Sequence, residues 1–328
     1  MKITLKISIF IVGVFALLAG CREASKIIRL KLAHGLNQSH PVHQAMVFMA
    51  ERVAKKSGGR LRLDIYPSEQ LGSERECLEL LQIGSLAMTK VSASVLEGFA
   101  PEYQVLSLPY IFRNDAHRFA ALASPIGQKL LLASEKYWLR GLCFYDAGSR
   151  SFYTTRKPVY SPDDLAGLKI RTQESPTSIK MVNAIGGSAT PISWGELYTA
   201  LQQGVVDGAE NNPPSFYLSR HYEVCKYYSL DEHTAVPDVL VISTIIWNDL
   251  SPEFREILLA AARESAEYQK QLWKKASDDA LQAVQAAGVE VIRPDKAPFR
   301  EKVRPLLESF RSQPKIYQLI QQITAVTE

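Results

Sequence analysis

The sequence has 328 residues, enough for two domains of ordinary size. Hydrophobic residues make up 46% and charged residues 22%, which is typical of a globular chain and excludes a disordered one. The formal net charge is only +4 and no long lysine and arginine patch occurs, which argues against a nucleic acid as the main partner.

Residues 1–20 have the pattern of an export signal. A basic start is followed by an apolar core over residues 7–18 and by small residues before Cys21. The apolar run is short for a membrane span, and a cysteine in this position resembles a bacterial lipobox. We therefore predict a lipoprotein signal peptide over 1–20, lipidation at Cys21 and a short tether over 21–26. A plain signal peptide or a membrane anchor is the alternative.

The first third of the chain alternates strands with helices. We predict a strand over 27–33, a helix over 41–56, a strand over 61–66, a helix that ends near residue 84, and a strand around 86–91. Ser73 and Glu76 form a capping box that opens the second helix. Strands that alternate with helices of this length predict an α/β fold with a largely parallel sheet.

The middle of the chain continues this alternation with shorter elements. Asn114 is the predicted cap of a helix that reaches Leu122. Further helices are predicted over residues 125–138, 175–184 and 194–203, and strands over 142–147, 152–155, 168–171, 205–209 and 238–246. The last of these strands is strongly apolar, so we expect it at the centre of a sheet.

A long helical pattern begins after a cap at Ser251 with proline at the first helical position, and holds to Gly288. One unbroken helix of that length would extend about 54 Å and would have to cross both lobes or project from one. The alternative is two helices bent near Ser277 and Asp278. A strand over 289–292 and two closing helices complete the chain.

Arg171 ends a predicted strand, and a polar loop that contains Asn211 ends a neighbouring one. A guanidinium is a planar fork that matches a carboxylate and stays charged at any working pH, so Arg171 is the strongest candidate for holding an anion. The alternative is a surface ion pair with Asp163 or Asp164. The sequence therefore indicates a binder of small carboxylates.

Arg150 and Asn211 are further candidates for the ligand site. Arg150 lies on a predicted crossing between lobes, where a second cation could neutralise a carboxylate or help to close a cleft. Asn211 offers both a donor and an acceptor to a hydroxyl or a carboxylate. For both residues the alternative is ordinary turn chemistry.

Five more candidates stand at strand or helix ends. His34 and Asn37 end the first strand and Ser92 follows the third, where ligands of open α/β sheets usually bind. Glu74 stands in the first turn of a capped helix, where the helix dipole alone favours an acid. Phe152 is either an apolar wall of the pocket or a core residue.

Catalytic and metal motifs are not found in the sequence. There is no G-x-S-x-G, H-E-x-x-H or G-x-G-x-x-G, and His40 and His43 have no further ligand at metal spacing. Cys77, Cys143 and Cys225 are odd in number and lack C-x-x-C spacing, so we expect buried small hydrophobes. We predict a binding protein without catalytic residues, metal or cofactor.

The chain resembles the solute-binding proteins of tripartite ATP-independent periplasmic (TRAP) transporters. The likeness covers nearly all of the chain after the lipobox and rests on four features: Phe-Tyr-Thr-Thr after Ser151, Leu168 to Arg171, Val206 to Asn212, and the long helix. The resemblance implies two α/β lobes joined at a hinge, an interlobe cleft that closes on an organic acid, and a long helix spanning both lobes.

The resemblance also implies a division of the chain and roles for its residues. The N-terminal lobe would be 27–147 plus about 236–275, and the C-terminal lobe 148–235 plus about 276–328. Arg171 would grip the ligand carboxylate, with Arg150 and Asn211 at matching positions, and Glu74 would accept hydrogen bonds from ligand hydroxyls.

The function implied is an extracytoplasmic, lipid-anchored receptor that captures a small organic acid and delivers it to the membrane permease of a TRAP transporter. The hydroxyl-binding capacity of the candidates and the form of the 208–214 loop favour a uronate, glucuronate or galacturonate. A C4-dicarboxylate, a keto acid or sialic acid is the alternative ligand. From other classes, an exported enzyme acting on acidic sugars through His34 and Glu74, or a sensor subunit, remains open.

Overall fold

A computed structural model describes residues 27–327 of the chain. The predicted signal peptide, the lipidation site Cys21 and the tether over 21–26 lie outside these residues and stay predictions. The described chain forms two lobes, each built on one β-sheet with helices packed on it. The two-lobed α/β fold is therefore confirmed.

The sheet of the first lobe has the strand order β2-β1-β3-β10-β4. Its strands are β1 Ile28–Ala33, β2 Leu61–Tyr66, β3 Met88–Ser92, β4 Leu139–Tyr145 and β10 Asp238–Ser243. β1 is parallel to β2 and β3, but β10 is antiparallel to both β3 and β4. The apolar run at β10 does lie inside the sheet, as expected.

The sheet of the second lobe has the order β11-β9-β5-β8-β6-β7. Its strands are β5 Arg150–Thr154, β6 Lys169–Thr172, β7 Ser188–Pro191, β8 Gly208–Asn211, β9 Tyr227–Thr234 and β11 Glu290–Ile292. β5 is antiparallel to β8 and β9. Among the described strands, only β5 in this sheet and only β10 in the first sheet run against the rest, so the prediction of a largely parallel sheet is confirmed.

Helices cover the faces of both sheets. They are α1 Pro41–Lys56, α2 Glu74–Gln82, α3 Ala93–Leu96, α4 Asp115–Ala123, α5 Pro125–Ala133, α6 Pro176–Ile185, α7 Leu197–Gln202, α8 Pro213–Leu218, α9 Thr244–Asp249, α10 Pro252–Ala286, α11 Ala297–Ser309 and α12 Pro314–Thr324. The capping box of Ser73 with Glu76 and the cap at Asn114 are both formed. Capping patterns in the local sequence therefore predict where most of the helices begin.

Five element ends differ from the predictions by three residues or more, two of them the starts of β4 at Leu139 rather than 142 and of β8 at Gly208 rather than 205. α5 stops at Ala133 because a 3-10 turn follows and Trp138 takes a left-handed backbone conformation with φ 62°. The predicted strand 238–246 ends at Ser243, after which the chain is helical. The predicted helix 194–203 begins only at Leu197, and the strands β7 and β9 were not predicted.

Helix α10 is one unbroken helix of 35 residues, so the alternative of two bent helices is wrong. At 1.5 Å per residue it extends about 52 Å. It packs against α1 and β4 in the first lobe and against α8 in the second. The helix therefore spans both lobes, as the resemblance implied.

The last two helices pack on different lobes. On α11, Phe299 and Val303 join the second-lobe cluster around α6. On α12, Ile316 and Leu319 lie in the first-lobe cluster instead, where they cover apolar residues of the segment 101–112. The sequence predicts residues 276–328 in the C-terminal lobe, but α12 packs on the first lobe, where its apolar face is buried. The remaining lobe boundaries stay predictions.

Cys77, Cys143 and Cys225 are free and buried, as expected for small hydrophobes, and burial raises the pKa of Cys143 to about 12. Between residues 27 and 327, no helix is both long enough and apolar enough to cross a membrane.

Candidate ligand-binding cleft

The two lobes meet at a cleft formed where β3, β6 and β8 end. Five of the eight predicted ligand residues lie in its lining, namely Arg171, Arg150, Asn211, Glu74 and Ser92. The cleft also receives Trp273 from α10. Charged and amide side chains from both lobes therefore converge on one cleft, which is the usual arrangement of a small-molecule site.

Arg171 is buried at the end of β6, so the alternative of a surface ion pair is excluded. Its Nε donates to the carbonyl of Ile192 at 2.8 Å, and its guanidinium lies 5.8 Å from the ring centre of Trp194. Within residues 27–327, Nη1 has no hydrogen-bond partner and the side chain makes no ion pair. Burial lowers the pKa of Arg171, as expected for a cation without a direct counter-charge.

Arg150 is also buried, but its charge is compensated. Antiparallel pairing of β5 with β8 brings it beside Glu210 and Asn211. Its Nη2 donates to Glu210 Oε1 and to the Glu210 carbonyl, both at 2.8 Å, and its Nη1 donates to Asn211 Oδ1 at 3.0 Å. Arg150 therefore holds Asn211 in place at the cleft, and Glu210 neutralises the charge of Arg150.

The pair continues into a buried chain of charges. His233 Nε2 lies 3.4 Å from Glu210 Oε2, and its Nδ1 lies 2.8 Å from Asp231 Oδ2. Burial alone would raise the pKa of Glu210, but Arg150 and His233 lower it to about 2. Burial alone would lower the pKa of His233, but Asp231 and Glu210 raise it to about 9. Two cations and two anions thus balance each other behind the cleft.

The raised pKa of His233 predicts a pH dependence of stability. Because the folded pKa of about 9 exceeds the ordinary value of 6.5, the stabilisation is complete below pH 6.5 and is lost as pH rises through 9. We expect the free energy of unfolding in urea to fall by on the order of 3 kcal/mol across that window. His233→Gln should flatten this fall and His43→Gln should not. Equal slopes for the wild type and His233→Gln would contradict the assignment.

The first lobe contributes a second charged group. Glu74 Oε1 accepts from Lys90 Nζ at 2.9 Å and its Oε2 accepts from the Ser92 amide at 3.0 Å. Lys90 Nζ also lies 3.3 Å from Asp238 Oδ2. Burial alone would lower the pKa of Lys90, but Asp238 and Glu74 raise it. Burial raises the pKa of Asp238. The Lys90 ammonium can donate to sugar hydroxyls, and the two carboxylates beside it can accept from them.

Three predicted ligand residues lie outside the cleft lining. His34 Nε2 contacts His43 Nδ1 at 3.0 Å, and burial lowers the pKa of His34 to about 2, so it is neutral. Phe152 is fully buried and stacks on His233 with ring centres 4.4 Å apart. Asn37 donates to the carbonyl of Leu218 at 2.9 Å, which makes it a contact between the lobes.

Several lining residues were missed in the sequence. They are Lys90, Gln173, Asn212, Ser215, Asp238 and Trp273, and His40 was considered only as a metal ligand. Residues two apart on a strand share a face, so Lys90 could have been predicted from Ser92, and Gln173 from Arg171. No local signal marks Trp273, which reaches the cleft only because α10 passes behind it.

Hydrogen bonds hold the two lobes together across the cleft. Glu97 of the first lobe accepts from Ser175 Oγ at 2.7 Å, from the Thr177 amide at 3.0 Å and from Thr177 Oγ1 at 2.7 Å. Glu69 accepts from the Gly195 amide at 3.2 Å. Glu97 thereby completes the N-terminal cap of α6, a helix of the other lobe.

Removal of the Glu97 carboxylate is expected to weaken closure. A hydrogen bond to a charged group contributes roughly 1.5–3 kcal/mol, so Glu97→Ala should raise the ligand Kd by at least about tenfold, mainly through faster dissociation. Stopped-flow fluorescence gives both rate constants. Glu79→Gln, an exposed change on the same lobe, is the control. Unchanged dissociation in Glu97→Ala would show that these bonds persist when the lobes separate.

The chemistry of the cleft is that of binding. Arg171, which has no direct counter-charge among residues 27–327, suits an anion, and the paired acids, the amides and Lys90 suit hydroxyls. Between residues 27 and 327, no group of three or more His, Cys, Asp or Glu side chains is placed to hold a metal ion. The lining therefore fits a small polyhydroxylated acid.

A two-lobed fold with a polar cleft between its lobes defines a solute-binding protein of the kind that closes by hinge motion. Residues 32–313 match the profile of "Bacterial extracellular solute-binding protein, family 7", also called DctP. The chain belongs to this family, which comprises the solute-binding proteins of TRAP transporters, so the resemblance noted in the sequence is confirmed. Proteins of this family are extracytoplasmic.

Solved structures and a curated relative resemble the chain over most of its length. A TRAP solute-binding protein of Xanthobacter autotrophicus with bound β-D-galacturonate is 38% identical, with 91% of this chain and 100% of that chain covered and a TM-score of 0.88. One from Roseobacter denitrificans with bound β-D-glucuronate is 35% identical, with the same coverages and TM-score. The 2,3-diketo-L-gulonate-binding periplasmic protein of Escherichia coli is 29% identical, with 87% and 86% covered.

Proposed function

We propose that this chain is the receptor subunit of a TRAP transporter that captures a uronate, D-glucuronate or D-galacturonate, and delivers it to the membrane permease. The cleft closes on the ligand without changing it chemically. The chain is held at the membrane through a lipid on Cys21. The uronates bound by the related receptors of Xanthobacter and Roseobacter support this ligand class.

The observation that carries the proposal is the contrast between the two buried arginines. Arg150 is neutralised by Glu210, whereas the charge of Arg171 has no direct counter-charge between residues 27 and 327. A buried, uncompensated cation costs free energy unless an anion joins it. A uronate carboxylate would supply that anion and would accept from the free edge of the guanidinium.

The opposite side of the cleft favours a sugar acid over a simple dicarboxylate. Glu74 and Asp238 are hydrogen-bond acceptors on this side of the cleft, and their negative charges would repel a second carboxylate on the ligand. The hydroxyls of a pyranose can donate to these acceptors and accept from Lys90. The cleft thus has one end for a carboxylate and one for hydroxyls.

Calorimetric titration of the purified protein tests the proposal. D-glucuronate and D-galacturonate are compared with D-glucose, which has a neutral group in place of the carboxylate, and with succinate, pyruvate and N-acetylneuraminate. We expect binding of a uronate and none of glucose. At 100 times its Kd the ligand should add about 2.7 kcal/mol of stability. Tighter binding of another acid would replace the uronate, and chemical alteration of the recovered ligand would reveal an enzyme.

A further inference from the structure

Apolar side chains gather on the surface of the first lobe at the end opposite the cleft. Ile83 at the end of α2, Trp138 before β4 and Ile245 in α9 are 69%, 55% and 40% exposed. We call these three residues the end patch. Large apolar side chains exposed singly are ordinary, but a cluster at one end of a lobe indicates a contact surface.

The three segments of the end patch are joined by hydrogen bonds. The Thr244 amide donates to the carbonyl of Trp138 at 3.0 Å, and Gln82 Nε2 donates to the carbonyl of Tyr137 at 3.0 Å. A Cβ on Gly84 would lie 3.3 Å from Ile245 Cγ2, so the end of α2 touches α9. The patch is therefore built on the ends of packed elements.

The described chain begins at this same end of the lobe. β1 and β3 are parallel and Ser92 lies at the cleft, so Ile28 starts β1 at the far end. Ile27, just before it, is 47% exposed. Six residues, 21–26, separate Ile27 from the proposed anchor, and an extended chain of that length spans at most about 20 Å. An anchored chain therefore keeps the patch end close to the bilayer.

We propose that the end patch is a membrane-contact surface, whose occupant is the interfacial layer of the lipid bilayer. The proposal rests on the lipid anchor at Cys21 given under the proposed function. Tryptophan is favoured at the membrane interface because its ring is apolar and its indole N–H is polar. A short tether also makes a weak surface contact effectively intramolecular, so a patch of three side chains suffices.

Membrane contact at this end sets the direction of the cleft. α2 runs from Ser73 at the cleft to Ile83 at the patch, so the two features lie at opposite ends of the lobe. A receptor resting on the patch therefore opens its cleft away from the lipid surface, toward the incoming solute. Delivery to a permease then requires the body to leave the lipid and turn about its tether.

The test uses the full lipoprotein reconstituted in phosphatidylethanolamine and phosphatidylglycerol vesicles. A nitroxide is placed at Ile83→Cys or, as a matched control on the second lobe, at Val205→Cys, which is 49% exposed. Collision with oxygen, which partitions into lipid, is compared with collision with a polar nickel chelate. We expect oxygen access to dominate at residue 83 and chelate access at residue 205. Adding Trp138→Ser and Ile245→Ser should raise chelate access at residue 83 at least threefold.

Each other outcome overturns the proposal. Equal chelate access at both positions shows that the patch faces water, and shielding that appears only with the permease makes it a protein contact. Failure of the lipoprotein to float with vesicles removes the anchor and the membrane contact with it. Uronate titration of the same samples is independent of these readings, so loss of the membrane contact and loss of the receptor function are distinguished.

Discussion

Replacing Arg171 with alanine is expected to weaken the binding of D-glucuronate and D-galacturonate by about a hundredfold or more. The side chain is buried at the cleft, and a bidentate pair with a carboxylate combines two hydrogen bonds of roughly 1.5–3 kcal/mol each. Isothermal titration calorimetry measures the change. Arg171→Lys keeps the charge but loses the planar fork, so its affinity should lie between those of the wild type and the alanine variant.

Removal of the Arg171 charge should weaken ligand binding but raise the stability of the ligand-free protein. Because the buried guanidinium lacks a counter-charge between residues 27 and 327, Arg171→Met should stabilise the ligand-free protein by about 1–3 kcal/mol. Lys169→Ala, an exposed change on the same strand, is the control for both measurements. Uronate binding that survives in Arg171→Ala within threefold would move the carboxylate site to Arg150.

Glu210→Gln is expected to destabilise the protein by about 3–5 kcal/mol, the largest loss from any single carboxylate discussed. Glu210 holds Arg150 through two side-chain hydrogen bonds and also faces His233. Loss of its charge removes the direct counter-charge of the buried Arg150 and one of the two acids that face His233. Urea unfolding at pH 7 measures the loss, and Glu79→Gln, in an exposed pair with Arg75, should change stability by less than about 0.5 kcal/mol.

A double substitution separates the structural role of this pair from its role in binding. Arg150→Met combined with Glu210→Leu removes both charges, so it should recover part of the stability that Glu210→Gln loses. It should still weaken uronate binding, because Asn211 loses the bond from Arg150 that orients it. A double variant less stable than Glu210→Gln would mean that His233 depends on Glu210 more than Arg150 does.

The helices and the fold class could be predicted from sequence because their signals are local. Ser73 and Glu76, Asn114 and Ser251 all cap the helices expected of them. Strand β9 was missed because its buried positions include Ser229, Asp231 and His233, so no apolar alternation marks it. Those polar residues are tolerated inside only because they pair with one another and with β5 and β8, which no local pattern records.

The candidate site was predictable in part for the same reason. Arg171 and Asn211 stand at strand ends, a position that sequence reveals. That Arg150 is neutralised and Arg171 is not depends on the register between β5 and β8. Lys90 and Asp238 meet only because β10 returns to the first sheet after the chain has built most of the second lobe.

The length of helix α10 determines which of its faces each lobe packs against. Each residue of an α-helix advances the chain by 1.5 Å and turns it by about 100°. A single deletion between Trp273, which packs in the first lobe, and Val284, which packs in the second, would therefore point one of them into water. We therefore expect insertions and deletions there to be tolerated only in steps near a whole number of helical turns, because other lengths would turn the contact face of one lobe away from it.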